Sequence, residues 1–294
     1  MSQRRARTWL IDAAFFVAGL ALLGVGWEAY KAIGPANGGK LLGLRVLPRT
    51  ENTAMPHVWE MFRAFTKPEV RGSSRSILSV VAAGAWFSGR MARAGLLLGV
   101  VVGLAVAIVM ARFKVAERGL LPYVVLSQTV PLIALAPLVV SWGGKLKIGG
   151  LTWQRWMSAA AISAFLAFFP IAIGALRGLT SPSPAALELM DSYAAPWWKT
   201  LLKLRLPSSV PYLVPALKLA ASAAVVGTIV AEISTGLRGG IGRLIIEYSR
   251  EGTSQPAKVF TALFGAAALG LAMAGLVALI DAFASRHRPR TAAT

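Results

Sequence analysis

Of the stretches of this chain that carry no charged residue for 18 positions or more, three lie in its middle. They are Ala94 to Ala111 with 18 residues, the 26 between Arg118 and Lys145, and the 21 between Arg155 and Arg177. About 20 apolar residues in an α-helix cross the ~30 Å hydrocarbon core of a bilayer. Arg93 and Arg112 bound the first stretch sharply, and Trp86 and Phe87 suit an interface position if that helix begins earlier. The second contains Pro122, Pro131 and Pro137, which predicts a bent or interrupted span whose freed backbone groups must be satisfied by neighbouring helices or water. The third holds Pro170.

Three more spans complete a count of six. Trp9 to Trp27 follows the basic start Arg4, Arg5 and Arg7; it is longer than a secretory signal core, lacks a clear small-residue cleavage site, and reads as the first span. Val214 to Ala231 contains Lys218, expected within a turn or two of the membrane edge so that its ammonium can snorkel. Val259 to Ile280 lies between Lys258 and Asp281. Six spans place both termini on one side, and the basic ends, including Arg286, Arg288 and Arg290, favour the cytoplasm. The outward segments nevertheless hold Arg71, Arg75, Lys145 and Lys147, so positive charge alone does not fix the orientation.

Charged residues are only 15% of the chain and hydrophobic residues 56%, too little polar surface for a water-soluble domain. The net charge of +19 could suggest nucleic acid, but the basic residues flank the apolar runs, where they meet anionic headgroups, instead of forming one stripe. The absence of cysteine excludes disulfides, thiolate metal sites and a cysteine nucleophile. His57 and His287 are the two histidines, the second in a basic tail, and no metal site is expected. No Gly-rich phosphate loop ending in Lys-Ser/Thr is present. The polar segment Asn37 to Ser76 includes a short amphipathic helix expected over His57–Phe65. Ala262, Gly265, Ala266, Gly270 and Gly275 suit close helix packing.

The informative interruption is Arg177 to Pro211, 35 residues between the fourth and fifth spans. Leu187, Met190, Ala194 and Trp198 recur at helical spacing, Glu188, Asp191 and Lys199 supply another face, and Ser181 to Pro184 reads as a start signal. Pro207 and Pro211 are expected to interrupt the pattern, giving a short helix and then a sharp bend. Such a helix could lie on the membrane surface. The segment Glu188 to Pro207, ELMDSYAAPWWKTLLKLRLP, says more. It resembles the permease signature of bacterial binding-protein-dependent ABC importers: Glu-Ala-Ala, three residues, Gly, nine residues, Ile, one residue, Leu-Pro. Leu189 and Met190 stand for the alanines, Ala194 for the glycine and Leu204 for the isoleucine. The Ala194 methyl is expected to require a negative φ.

The resemblance implies an all-α polytopic membrane protein with the type I ABC importer permease fold, about six transmembrane helices and a cytoplasmic coupling helix. It covers roughly Val80 to Ala284, so a permease domain is expected over 80–284, after an N-terminal transmembrane helix and polar external segment over 1–79 and before a basic tail over 285–294. Glu188, Met190, Tyr193, Ala194, Trp198, Leu206 and Pro207 would meet the ATPase. The partners implied are cytoplasmic ATP-binding subunits, which would hold the ATP and Mg, an extracytoplasmic solute-binding protein and a second permease copy, in the bacterial inner membrane. This chain would bind no cofactor and perform no catalysis. Gln128 to Gly144 and Gly227 to Ile245 are similar to the nitrate, sulfonate and taurine branch. Ala231 to Ser234 and the glycines after them look closest to its permeases for riboflavin and pyrimidine precursors. The solute expected is thus a small polar metabolite, riboflavin or another cofactor precursor, the alternatives being an alkanesulfonate, taurine or nitrate.

Candidates for the translocation path are Gln128, Thr129, Ser163 and Glu232. The first three are uncharged polar groups inside predicted spans, which either line a wet passage or hydrogen-bond between helices. Glu232 ends an apolar run, where a carboxylate is costly inside the membrane and unremarkable at its edge. Two rival readings are weighed. A membrane-embedded lipid enzyme would need a histidine pair, a zinc motif or paired intramembrane carboxylates, none of which the sequence offers. An ion-coupled transporter would show matched interrupted repeats.

Overall fold

The computed structural model describes residues 3–41, 44–70, 72–145, 147–148 and 151–284. Arg71 and the basic tail residues Arg286, His287, Arg288 and Arg290 lie outside the described residues. The chain divides into two compact units, one of residues 1–80 with 247–262 and one of 81–246 with 263–294.

In the first unit α1 (Gln3–Ile33) is a single helix of 31 residues that contains the expected Trp9 to Trp27 and runs beyond it, and Ala14–Ile33 within it is long and apolar enough to span. The helix continues past Trp27 because nothing breaks it before Gly34 and Pro35. None of the spanning part is buried, and Phe15, Leu22 and Leu23 are open to lipid. Two strands, β1 (Gly39–Leu41) and β2 (Leu44–Leu47), pair antiparallel. Lys31 then gathers the chain that follows, donating to the Thr50 carbonyl at 3.2 Å, to Asn52 Oδ1 at 2.6 Å and to the Met55 carbonyl. The expected amphipathic helix is α2 (Val58–Ala64), with His57 at its N-cap. Glu28 accepts from the Val58 N–H at 2.7 Å and pairs with His57 Nδ1 at 2.8 Å, which gives the histidine a structural partner. Lys258 is buried, yet donates to the Glu69 carbonyl at 2.9 Å and to Glu251 at 2.6 Å, so its charge is compensated.

The second unit is built on three packed helices. Residues from Val81 onward of α3 (Ile77–Arg112) run beside α6 (Arg155–Leu179), both in the same direction. Gly95, Gly99 and Gly103 form a seam four residues apart, and a methyl added at them would stand 2.3 Å from Ser163, 2.9 Å from Ala167 and 2.8 Å from the Phe168 carbonyl. Such closeness is how membrane helices gain contact where lipid offers no hydrophobic drive. The other face of α6 packs antiparallel on α9 (Leu206–Thr235): Gly178 meets Ser209, Gly174 meets Ala216, and Gly227 meets Ser163. Ala167, Ile171, Ala220, Ala221, Ala224 and Ala92 form the core between them.

Between α3 and α6 the third predicted span is two helices, α4 (Lys114–Leu126) and α5 (Leu132–Gly143), bent by 102° across a 3-10 turn at Ser127–Thr129. Pro131 alone makes the break, sitting extended at the N-cap of α5, whereas Pro122 and Pro137 remain inside helices. Five described helices are long and apolar enough to span, or six when the bent pair counts as one, which agrees with the expected all-α membrane bundle. After α9, Gly236 takes φ +64 as its left-handed C-cap. The chain turns into α10 (Ile241–Arg250), an element absent from the sequence reading, and then into α11 (Pro256–Ala284). Buried Ile241, Leu244 and Tyr248 recur along one face of α10; the run was too short and too charged to register as a span.

Candidate functional site

The segment that follows α6 is assembled from its ends inward. The C-terminal turn of α6 closes with Thr180 Oγ1 donating to the Leu176 carbonyl at 2.8 Å and Ser181 Oγ to that of Gly178 at 2.8 Å. Ser183 then caps α7 (Pro184–Ser192), its hydroxyl accepting from the Ala186 N–H at 3.3 Å, with Pro184 in the first turn where its missing N–H costs nothing. The start is where the serine and proline pattern predicts it. At the other end the Ala194 N–H donates to the Asp191 carbonyl at 2.8 Å and the Ala195 N–H to that of Met190 at 3.0 Å. This pair of bonds is the glycine-type helix stop, and Ala194 occupies its left-handed position with φ +46. The expectation of a negative φ at Ala194 is therefore corrected: the bonds that end α7 dictate the conformation, and the methyl accepts the strain.

Beyond the stop come α8 (Trp197–Thr200), a π-helical turn over Leu201–Arg205, and α9 without a pause. Pro207 and Pro211 do not interrupt the helix as expected. Pro207 lies in its first turn, with Lys203, four residues before it, in the wider π turn, while Pro211 and Pro215 lie inside the helix. Ala107, Met110, Ala175, Leu176, Leu179 and Leu201 bury a cluster under this corner, with Trp197, Leu206 and Leu213 packed on it. Two arginines fasten it. Arg205 donates to the Leu179 carbonyl at 2.8 Å, placing a cation at the C-terminus of α6, and the Arg112 guanidinium stands 5.2 Å from the Trp197 ring centre.

On this rigid base α7 is uncovered, with none of its residues buried. Tyr193, Trp198 and Leu189 are 77%, 66% and 57% exposed and stand close together along the chain. Glu188 and Asp191 are exposed beside them, Met190 is half-buried, and the Glu188 carboxylate has no hydrogen bond or ion pair among the described residues. Of the predicted set, Glu188, Met190, Tyr193, Ala194 and Trp198 therefore share one exposed corner. Leu206 turns into the supporting cluster, and Pro207 is exposed at the start of α9. Leu189, Arg112 and Arg205 were not singled out; Arg205 fills the unspecified position of the signature, and only its contact with α6 distinguishes it.

The four path candidates separate. Ser163 is buried and donates to the Ala224 carbonyl at 2.8 Å, a bond between α6 and α9. Glu232 is fully buried near the end of α9; its oxygens accept from Ser88 Oγ at 2.7 Å and from the Gly242 N–H at 2.7 Å, while Ser88 Oγ also accepts from the Ile241 N–H at 2.9 Å. The carboxylate thereby ties α9, α3 and the start of α10 together. Gln128 and Thr129 are exposed on the turn between α4 and α5, where Thr129 donates to the Leu126 carbonyl at 2.8 Å. Among the described residues no three His, Asp or Glu side chains gather as a metal site.

Residues 95–293 match the family described as binding-protein-dependent transport system inner membrane component. The chain is 33% identical over 152 residues to a protein of Haemophilus influenzae named "Probable ABC transporter permease protein", covering 52% of this chain and 58% of the relative. It is 32% identical over 173 residues to a formylaminopyrimidine transport permease of Halalkalibacterium halodurans, covering 58% and 65%. A riboflavin transport system permease of Chloroflexus aurantiacus is 28% identical over 171 residues, covering 58% and 59%. The chain thus spans less than two thirds of the length of each of these relatives. Their shared description is of a transport component, not of a catalyst, and the long apolar helices with the α6, α7 and α9 corner agree with the type I permease fold.

Proposed function

Because this chain belongs to the family of binding-protein-dependent transport system inner membrane components, we propose that it is the spanning permease of an ATP-driven importer in a bacterial plasma membrane. The observation that carries the reading is the exposed α7 corner on its fastened base. Tyr193, Trp198 and Leu189 offer apolar area to a pocket, and Glu188 offers an unpaired charge to fix register against a basic or polar group. The occupant is a cytoplasmic ATPase subunit that holds ATP and Mg.

The mechanism follows from stiffness. α7 is joined to α6 by a capped turn and to α9 through the π turn, and Arg205 binds the two spans to each other. A displacement of α7 by ATP-driven closure of the ATPase is passed to both spans instead of being lost in a loose loop. Two permease copies, moved in this way, alternate the access of a central path between an extracytoplasmic solute-binding protein and the cytoplasm. The solute is a small polar metabolite. Relatives are named for a formylaminopyrimidine, for riboflavin and for aliphatic sulfonates, so a cofactor precursor and an alkanesulfonate both go forward to the test.

The test is co-expression of the chain with an ATPase subunit and reconstitution with a solute-binding protein, with nucleotide hydrolysis followed with and without riboflavin, a pyrimidine precursor or an alkanesulfonate. A stable complex stimulated by one loaded binding protein is expected. E188A is expected to weaken ATPase association by roughly tenfold while membrane insertion stays normal. Unchanged association and ATP-driven uptake in E188A would sink the role given to α7.

A further inference from the structure

At the end of α6 opposite to α7 the second unit has a cleft of about 450 Å³, a volume that fits a small molecule. α6 has 25 residues, so about 37 Å of apolar helix separates the two ends. On the importer reading, which puts α7 in the cytoplasm, the cleft opens on the extracytoplasmic side. Three elements converge there: Phe87, Arg90 and Met91 from α3, Gln154, Arg155 and Trp156 from the start of α6, and the chain just after α9.

The chemistry of the lining is unbalanced. Arg90 and Arg155 are both exposed into it, and none of the lining residues is acidic. Neither guanidinium has a carboxylate within 4.0 Å among the described residues. Among the described residues Glu232 makes no ion pair with either arginine; its oxygens accept from Ser88 and Gly242. The aromatic groups are held in place: the Arg90 guanidinium is 5.4 Å from the Phe87 ring centre, and the Trp156 indole N–H donates to Gln154 Oε1 at 2.7 Å. Met91 is buried beneath. Two planar, permanently charged forks beside aromatic walls, with no internal counter-charge, suit an anionic oxygen group carried on an apolar or aromatic body.

We propose that this cleft binds a phosphate, sulfonate or carboxylate group through Arg90 and Arg155, with Phe87 and Trp156 against the body that carries it. A solute entering from outside and a lipid headgroup at the membrane edge both present that chemistry. In the first case the cleft is an entry site that favours an anionic solute, which selects an alkanesulfonate over riboflavin among the candidates above.

The full-length chain is reconstituted in nanodiscs of phosphatidylcholine, and fluorine NMR follows para-fluorobenzenesulfonate with the neutral para-fluorobenzenesulfonamide as its control. The sulfonate is expected to bind at least about tenfold more tightly than the sulfonamide, and R90Q/R155Q to lose about tenfold or more of that affinity. R90K/R155K, which keeps both charges but not the planar forks, is expected to lose less than R90Q/R155Q, and the elution profile of each variant reports its fold. Equal binding of the two probes, or binding by R90Q/R155Q at the wild-type level, overturns the site. With phosphatidylglycerol added, displacement of the sulfonate identifies a headgroup as the occupant. Retention, with competition by inorganic phosphate, identifies a soluble anion, and either result supports the anion site. Copurification of the ATPase subunit on the same preparations tests the importer reading separately, since R90Q/R155Q lies at the far end of α6 from α7 and leaves that association unchanged.

Discussion

At Ala194 the chain holds a methyl group in the left-handed region, φ +46, because the bonds from Ala194 to Asp191 and from Ala195 to Met190 require that geometry. A non-glycine residue there costs about 1 kcal/mol relative to glycine. A194G is therefore expected to raise the stability of the α7 stop by ~0.5–1 kcal/mol and to leave ATPase association intact, with thermal unfolding in detergent as the measurement. A lower melting temperature in A194G would show that the methyl packs favourably. Glu232 presents the opposite case, a buried carboxyl group whose two oxygens each accept a hydrogen bond. E232A strands the Gly242 N–H and the Ser88 hydroxyl without their acceptor, and a loss of roughly 2–4 kcal/mol is expected, with E232Q intermediate. Gly240 is part of the same arrangement, since a methyl there would stand 2.1 Å from a Glu232 oxygen. An E232A melting temperature equal to wild type would remove the carboxylate from the list of fastenings.

Among the elements, the seam of α3 against α6 is set by glycine at every fourth position, with Gly99 in its middle. A side chain at Gly99 must displace Ala167 and the Ala164 carbonyl, which a helix cannot do locally. G99L is expected to destabilise the second unit by about 3 kcal/mol or more, seen as loss of monodisperse protein after detergent extraction, whereas G270A, with open space around the added methyl, is expected to be tolerated. The long α8 to α9 helix answers a different demand. Three prolines fall within its first turns, and the π turn at Leu201–Arg205 rearranges the backbone so that helical structure passes from the exposed corner into the span. A helix broken at Pro207 would move independently of α7.

For the molecule as a whole, the exposed corner and the Arg90–Arg155 cleft stand at opposite ends of α6, one presenting apolar and acidic groups and the other basic and aromatic ones. This polarity fits a machine driven from one side of a membrane and supplied from the other. Y193A/W198A is expected to reduce affinity for the ATPase subunit by tenfold or more while leaving yield and membrane insertion unchanged, because both side chains are mostly exposed and neither belongs to the buried cluster, Trp198 meeting the Trp197 ring edge-on at 4.7 Å. Copurification at wild-type level would place the ATPase contact elsewhere.

The sequence by itself determined the membrane class, the spans and the position of α7, because hydrocarbon tolerates only long uncharged helical runs and because a serine–proline cap and a spaced signature are local signals. It also located the break in the third span, though not that Pro131 alone makes it. What only the tertiary structure decided are the relations between residues far apart in the chain. The left-handed Ala194 follows from two backbone bonds that its letter argues against. The roles of Ser163 and Glu232 as fastenings follow from partners 61 and 144 residues away. The pairing of Arg90 with Arg155 in one cleft follows from the parallel packing of α3 on α6, and α10 escaped notice because a short charged helix has no hydrophobic length to reveal it.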